Sequence, residues 1–209
     1  MEQLKYLLMA YLLGAFRDAS VKKYEGKNYE IVVWQKSIEW LKVLQQIIFL
    51  IFEKKTKIFK VKGGFRIRFK SKEVYNFFRK NGLPTSGNHA FWKTPSMIKS
   101  SSLRKRFYIA GFFDAEGCVA IYRKGSLEYI RLDFYQSWNN ASECPPLQDI
   151  KKFLEELDIR CGEVRLRNGF VNYPRFVLSI SNLPSIRKFA QSIPLLHPTK
   201  KLKLSVVLA

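Results

Sequence analysis

The sequence predicts an α+β fold built from two copies of one αββαββα unit, each carrying a four-stranded antiparallel sheet, joined at two central glycine-bearing helices. Three observations predict it. A nine-residue pattern occurs twice, LLGAFRDAS at 12–20 and IAGFFDAEG at 109–117. Behind each copy runs the same succession of strand-like and helix-like stretches. Between the copies, 85–102 is rich in Pro, Gly, Ser and Lys and reads as a linker. The expected organisation is therefore a first repeat over 1–84, the linker 85–102 and a second repeat over 103–209.

Each motif follows an aromatic and aliphatic helical run, Tyr6 to Tyr11 in the first half and Phe107 to Tyr108 in the second. In the first half, Tyr29, Ile31, Val33 and Gln35 alternate with Glu30, Val32 and Trp34, which is the period of a strand. A helix is expected over 38–52, then two strands over 57–62 and 65–70 hinged at Gly63-Gly64. A short helix over 72–81 is stopped by Gly82 and Pro84. The second half replays the order. A hairpin is expected from 119–123 and 129–136, a helix over 147–157 after Pro145-Pro146, a hairpin from 163–167 and 175–181 around Asn168-Gly169, and a helix over 185–192.

Composition sets outer limits. With 47% hydrophobic residues in a chain of 209, a packed body is expected rather than a disordered basic tail. Thirty-seven Lys and Arg against 17 Asp and Glu leave a formal charge of +20, a field that attracts polyanions, nucleic acid first among them. Charge alone fits an RNA-packing ribosomal protein as well. Three scattered cysteines, Cys118, Cys144 and Cys161, and two histidines, His89 and His197, exclude a zinc site of CxxC or HxxxH type and a disulfide scaffold. They point to reduced thiols in an intracellular protein. Met1 to Phe16 has the look of a signal peptide but lacks a small-residue cleavage site, and a similar helix recurs at 107–117; no membrane segment is expected.

The strands are two-faced. Phe65, Ile67 and Phe69 oppose Arg66, Arg68 and Lys70; Val164 and Leu166 oppose Arg165 and Arg167; Ile130, Leu132 and Phe134 oppose Tyr129, Arg131, Asp133 and Tyr135. One face suits packing under helices. The other is cationic where a merely solvated face would mix signs, and Lys60, Lys62, Arg123 and Arg175 join it as candidate nucleic-acid contacts. A two-stranded antiparallel ribbon fits the DNA major groove, where Arg reads guanine edges, Gln and Asn read adenine edges, and Lys neutralises phosphates.

IAGFFDAEG matches, position by position, the signature of the LAGLIDADG homing endonuclease family, and LLGAFRDAS is a degenerate copy. The chain resembles the single-chain, two-motif members, most of all those encoded by introns in archaeal ribosomal RNA genes. The resemblance covers nearly the whole chain and implies two halves related by a pseudo-twofold axis, a saddle that binds double-stranded DNA, and site-specific cleavage of both strands. It implies a monomer acting inside the cell, at the nucleoid. A physical reason accompanies the motif. Gly14 and Gly111, with Ala10 and Ala110 nearby, strip side chains from one helix face, so two helices approach closely and bring their C-terminal acids together. Adjacent carboxylates favour a cation between them, and oxygen donors suit Mg²⁺, with other divalent ions able to substitute.

The family's acid at the eighth motif position binds the metal, which assigns Glu116. In the first motif the eighth position is Ala19, the nearest acid is Asp18 one step earlier, and Arg17 stands at the sixth position where the family often has Asp. Asp18 is the expected second ligand, brought into place by an unwound helix end. Asp114 is expected to make capping or structural bonds. Gln35 and Gln136 end equivalent strands, where the family often places a polar group near the metals. HPTKKLKL, with Lys200 after Pro198, resembles the segment that supplies a catalytic basic residue in the family, with Lys93 in AFWKTP as its counterpart. The displaced Asp18 leaves an alternative open: an RNA maturase that partners intron RNA, or a catalytically lapsed DNA binder on the same fold.

Overall fold

In this computed structural model, which describes residues 2–25, 28–124, 127–167 and 172–208, the order of elements repeats once. In the first half α1 (Glu2–Ala15) passes through a 3-10 turn (Phe16–Asp18) into β1 (Ala19–Tyr24), followed by β2 (Asn28–Gln35), α2 (Ile38–Phe52), β3 (Ile58–Val61), β4 (Gly64–Lys70) and α3 (Lys72–Lys80). The connecting segment holds a 3-10 turn (His89–Phe91) and α4 (Ser96–Lys99). The second half runs α5 (Ser102–Glu116), β5 (Gly117–Lys124), β6 (Leu127–Ser137), α6 (Pro145–Glu155), β7 (Arg165–Arg167), β8 (Arg175–Ile180), α7 (Leu183–Ser192) and α8 (Pro198–Leu208). Both sheets are antiparallel and four-stranded, ordered β1-β2-β4-β3 and β5-β6-β8-β7. Among the described residues, no helix is long and apolar enough to cross a membrane.

Local chemistry starts the helices where it should. Ser37 and Ser71 accept from Trp40 N and Val74 N, both at 3.2 Å, and Asn182 accepts from Ser185 N at 2.9 Å. Each side chain satisfies a backbone N–H that the first helical turn leaves without a partner. Helices cover one face of each sheet. Ile31, Val33 and Ile67 pack beneath Trp40, Leu44, Ile48 and Phe78; Leu132, Phe134, Leu178 and Ile180 pack beneath Ile150, Leu154 and Phe189. Phe16 stacks on Phe78 at 4.6 Å, and Phe113 meets Phe134 at 5.0 Å, so the motif helices are tied into both cores.

α1 and α5 cross at their glycines. A Cβ on Gly111 would strike the Tyr11 carbonyl and lie 2.9 Å from Ala15 N; one on Gly14 would strike the Tyr108 carbonyl and lie 2.5 Å from Phe112 N. No side chain fits there, and backbone-to-backbone contact results.

The chain departs from expectation in several places. β1 follows the motif directly and is unmarked in the sequence, because ASVKKY alternates too weakly to stand out. α6 starts at Pro145, since proline is well placed in a first turn whose N–H has no partner. The 85–102 segment is no loose linker: Ala90, Trp92, Thr94 and Ile98 are buried. The C-terminal HPTKKLKL, expected to supply a lysine but not an element, forms α8. The turn expected at Asn168-Gly169 lies outside the described residues.

Cross-strand partners share a face, so register sorts the expected contacts. Arg66, Arg68 and Lys70 pair with Trp34, Val32 and Glu30 on the face away from the helices. Arg131, Arg165, Arg167 and Arg175 lie on the corresponding face of the second sheet, with Tyr129, Asp133 and Tyr135. Two candidates do not. Lys60 pairs with Phe65, and Arg123 continues the face of Val119 and Ile121. Both occupy the helix-covered side, beyond the helices' reach, because register, and not charge, fixes the direction of a strand side chain. Phe59, which pairs with Arg66, takes the place expected of Lys60. Lys62 sits in the turn with Gly63, whose φ of 80° suits glycine.

Candidate functional site

Both motif helices end where a strand begins. α5 remains α-helical to Glu116 and Gly117 opens β5, whereas α1 gives way to the 3-10 turn and Ala19 opens β1. Counted from the paired glycines, Glu116 is five residues on and Asp18 four. At α-helical pitch, the missing residue would leave Asp18 ~1.5 Å short and turned ~100° away. The 3-10 turn changes both. One α step and three 3-10 steps advance ~7.5 Å, as five α steps do, and reduce the angular error to ~40°. The expected unwinding does not occur; the helix end overwinds, because overwinding recovers the length and the angle together.

The two acids share one electrostatic environment. The Asp18 side chain is solvent-exposed on one side, and its Oδ2 accepts from Gln35 Nε2 at 2.5 Å. Protein mass around the carboxyl raises its pKa, opposed by the Gln35 bond and the Lys200 charge. Burial, then the negative charge of Asp18, pushes Glu116 up to about 7 against the opposing pull of Arg175, Lys200 and Arg17. Lys200 Nζ donates to the carbonyls of Phe113 at 2.9 Å and Asp114 at 2.7 Å, which caps the end of α5. Burial lowers its pKa to about 8, although Asp114, Glu116 and Asp18 all favour the charged form.

The sixth motif positions carry opposite charges and do equivalent work. Asp114 Oδ2 accepts from Tyr11 Oη at 2.7 Å and from the backbone N–H groups of Leu196 and His197 at 2.8 and 2.9 Å. Arg17 is also buried, and its guanidinium donates to the carbonyls of Trp92 and Lys93 and, at 2.9 Å, to Tyr108 Oη. Tyr11 and Tyr108 each stand three residues before a motif glycine. Each sixth residue therefore reaches across to the other helix's tyrosine and pins the segment passing over its own helix end. One segment offers N–H groups and meets a carboxylate. The other offers carbonyls and meets a guanidinium, which also lies 4.5 Å from the Trp92 ring centroid. Sequence reasoning saw Arg17 only as a departure; the paired tyrosines were the signal that could have located its partner.

Two clefts flank the carboxylates. One, of about 890 Å³, is walled by Asp18, Glu116, Gln136, Arg175, Lys22 and His89. The other includes Gln35, Gly117, Cys118 and Lys200. They correspond under the pseudo-twofold, since Gln35 and Gln136 each lie two residues beyond the strand partner of the residue that opens β1 or β5. Their contents differ. Gln35 holds Asp18, whereas Gln136 Nε2 donates to the Ser137 carbonyl at 2.8 Å and its buried Oε1 has no protein partner. α8 brings Lys200 to one cleft; the connecting segment brings His89 to the other, bonded to the Ala19 carbonyl and pushed down to about 4 by burial.

No protein-family model matches the chain. Homing endonuclease I-ApeI of Aeropyrum pernix (strain K1) is 29% identical to it over 205 residues, 95% of this chain and 86% of that protein. The crystal structure of I-DmoI in complex with DNA and Ca has the same fold, with a TM-score of 0.62 at 22% identity over 95% of this chain and 98% of that one. So does the I-LtrWI LAGLIDADG homing endonuclease bound to target DNA, with a TM-score of 0.59 at 14% identity over 98% of this chain and 90% of that one. The chain shares the fold of these homing endonucleases. Both of its motif helices lie in one polypeptide.

Measured against what a LAGLIDADG site was expected to contain, the structure gathers Asp18, Glu116, Gln35, Gln136 and Lys200 around the paired helix ends. It does not bring the Lys93 ammonium there. Lys93 is exposed, and its contribution is the carbonyl that receives Arg17. The cations that act on Glu116 are instead Arg175, Lys200 and Arg17.

Proposed function

We propose that this chain is a site-specific endonuclease that binds a long, asymmetric stretch of double-stranded DNA and hydrolyses one phosphodiester bond in each strand with divalent metal ions, Mg²⁺ by preference. One observation carries the reading: two acidic helix tips, Asp18 and Glu116, are close enough to repel each other and line one cleft, with a second cleft holding Gln35 and Lys200 beside them. Relatives lend weight, being named homing endonucleases and seen in complex with target DNA and with Ca or Mn.

The donors fit a hard cation. They are oxygens, Glu116 at a pKa of about 7 wants a positive neighbour, and the orphaned Gln136 Oε1 offers a further acceptor to a bound water. Among the described residues no cluster of three or more His, Cys, Asp or Glu could hold a metal unaided. Water and phosphate oxygens are left to complete the shell, a mode that suits Mg²⁺. When bound, such an ion supplies Lewis acidity and a water of lowered pKa. The chain's own residues do the rest. Asp18 and Glu116 are the residues that would hold the ions, and Gln35 bonds the Asp18 carboxylate in place. The Lys200 ammonium stabilises charge that develops on the phosphoryl oxygens in its cleft. One copy supplies both carboxylates, so the acting species is a monomer. We take 1–84 and 103–209 as its two repeat units, with 85–102 as a docked connector.

Asymmetry of the target follows from the sheets. At equivalent registers Glu30 answers Arg131, Val32 answers Asp133, Arg66 answers Val177, and Phe59 answers Arg165. Faces that differ at each such row read different base pairs in the two halves. The overwound first motif supports a working nuclease over a lapsed binder, since it returns Asp18 toward the place its sequence number denies it.

The test is incubation with a plasmid carrying the uninterrupted host gene. Linear product with Mg²⁺ and none with EDTA is the expected result. Tight, selective binding without cleavage in any divalent metal would return the chain to the binder class.

A further inference from the structure

Asp133 is the most enclosed acid on the DNA-facing side of either sheet. Its side chain is 0% exposed, yet register places it on the open face of central strand β6. Both oxygens are occupied. Oδ1 accepts from Ser179 Oγ at 2.6 Å and lies 2.8 Å from Arg131 Nε; Oδ2 accepts from Arg131 Nε and Nη2 at 3.0 and 2.9 Å and from Tyr135 Oη at 3.1 Å. Arg131 is held from a second side, its guanidinium 4.7 Å from the Tyr122 ring centroid and Nη2 2.5 Å from Tyr122 Oη.

Among the described residues, no other arginine on the faces away from the helices shows such a grip. Arg68 touches one oxygen of Glu30 and remains 52% exposed. Arg167 and Arg175 lie over Tyr135. A guanidinium has five N–H donors. Asp133 takes the inner Nε and Nη2 edge, and Tyr122 Oη occupies the other Nη2 hydrogen. The outer Nη1 and Nη2 fork therefore faces the groove, with one prong on an exposed phenol that is readily exchanged. That fork matches the O6 and N7 acceptors of guanine. Phosphate contact needs no such orientation, because a point charge serves there as well.

We propose that Asp133 is a positioning residue that fixes Arg131 as the reader of a single guanine in the half-site under the C-terminal sheet, with Tyr122 holding the reading fork until DNA arrives. This rests on the DNA-cleaving reading above and names one of its specificity determinants.

The experiment is selection of bound sequences from a randomised target library in EDTA, followed by competition binding against all four bases at each position. The proteins are the full chain and its Arg131→Ala and Asp133→Asn variants. Arg131→Ala is expected to erase a guanine preference at one base pair, by roughly tenfold to a hundredfold, and to spare the others. Asp133→Asn should weaken the preference at that same base pair while binding to non-specific DNA holds or tightens and its salt dependence steepens, because a negative charge has been removed from the face. A merely structural Asp133 would lower specific and non-specific binding together, and that result overturns the proposal. So does an Arg131→Ala variant that loses affinity evenly across sequences, the mark of a phosphate anchor. Should Asp133→Asn fail to fold, Tyr135→Phe and Ser179→Ala each remove one bond to Asp133 and should show the same single-position loss in part; full retention in both overturns it. If the parent protein selects no sequence at all, the nuclease reading fails instead, which keeps the two outcomes apart.

Discussion

Replacing Glu116 by glutamine should make the metal-free protein more stable at neutral and alkaline pH while ending cleavage. The magnitude follows from the site. Burial and the Asp18 charge lift Glu116 from 4.5 to about 7, so the folded state grips this proton more tightly than the unfolded chain does. Below pH ~4.5 both states are protonated and the residue costs nothing. Between there and pH 7 the fold loses stability as pH rises, and above 7 the whole penalty is present, about 3 kcal/mol at ~1.4 kcal/mol per unit. Glutamine cannot ionise, so it escapes that penalty. For a chain of this size, the gain is worth roughly 6–12 °C in Tm. Thermal unfolding of both proteins in EDTA at pH 4.5, 6 and 8 should show a gap that opens with pH. Adding Mg²⁺ at pH 8 should then raise the parent and leave the variant where it was. Plasmid cleavage should vanish with DNA affinity nearly intact. A gap that ignores pH, or a variant that gains as much from Mg²⁺ as its parent, refutes the reasoning.

Asp18→Asn should abolish linear product, and an assay that still finds full double-strand cleavage would place the first ligand elsewhere. Lys200→Met removes an ammonium that acts on both carboxylates, and removes it from one cleft only; nicked circles should accumulate, with one strand cut ~10²–10³-fold more slowly, as single-turnover gels would reveal. Gly111→Ala drives a methyl into the Tyr11 carbonyl, and a loss of about 1–3 kcal/mol is expected, read as a Tm lower by roughly 2–12 °C. Arg17→Met strands a buried carbonyl, a part-buried one and the buried Tyr108 hydroxyl at a cost of about 2–5 kcal/mol; chemical denaturation should register it even though Arg17 lies outside the proposed ligand set.

Much of this molecule was legible because its signals are local or repeated. The glycines at 14 and 111 announce a close helix crossing by the absence of a side chain, and alternation such as that of Arg66, Arg68 and Lys70 against Phe65, Ile67 and Phe69 separates two faces without a partner strand. What stayed hidden depends on pairing. Lys60 reads as one more cation in a basic strand until its register with Phe65 turns it to the helix side. Lys93 sits at a plausible distance from its proline, but the buried Trp92 and the grip of Arg17 on the local carbonyls fix the backbone there and leave the ammonium outside. Asp133 reads as an ordinary strand polar residue. Its importance appears only once Arg131, Tyr135 and Ser179, from two strands, are seen to converge on it.

The charge inversion at the sixth motif positions explains why a single chain can tolerate a degenerate motif. In a symmetric homodimer an interface residue faces the same environment in both copies, so any change is made twice and must suit both. Here the two copies drift apart. The segment over the first helix end presents carbonyls and the one over the second presents N–H groups, so Arg17 and Asp114 are each right in one place and wrong in the other. The same freedom lets Glu30 stand where Arg131 stands, and lets a lysine enter one cleft while a neutral histidine closes the other. On the nuclease reading proposed above, halves that differ at so many equivalent points would bind an asymmetric site in one orientation. Each carboxylate then always meets the same strand, and for that reason a one-sided change such as Lys200→Met should nick a defined strand rather than slow both alike.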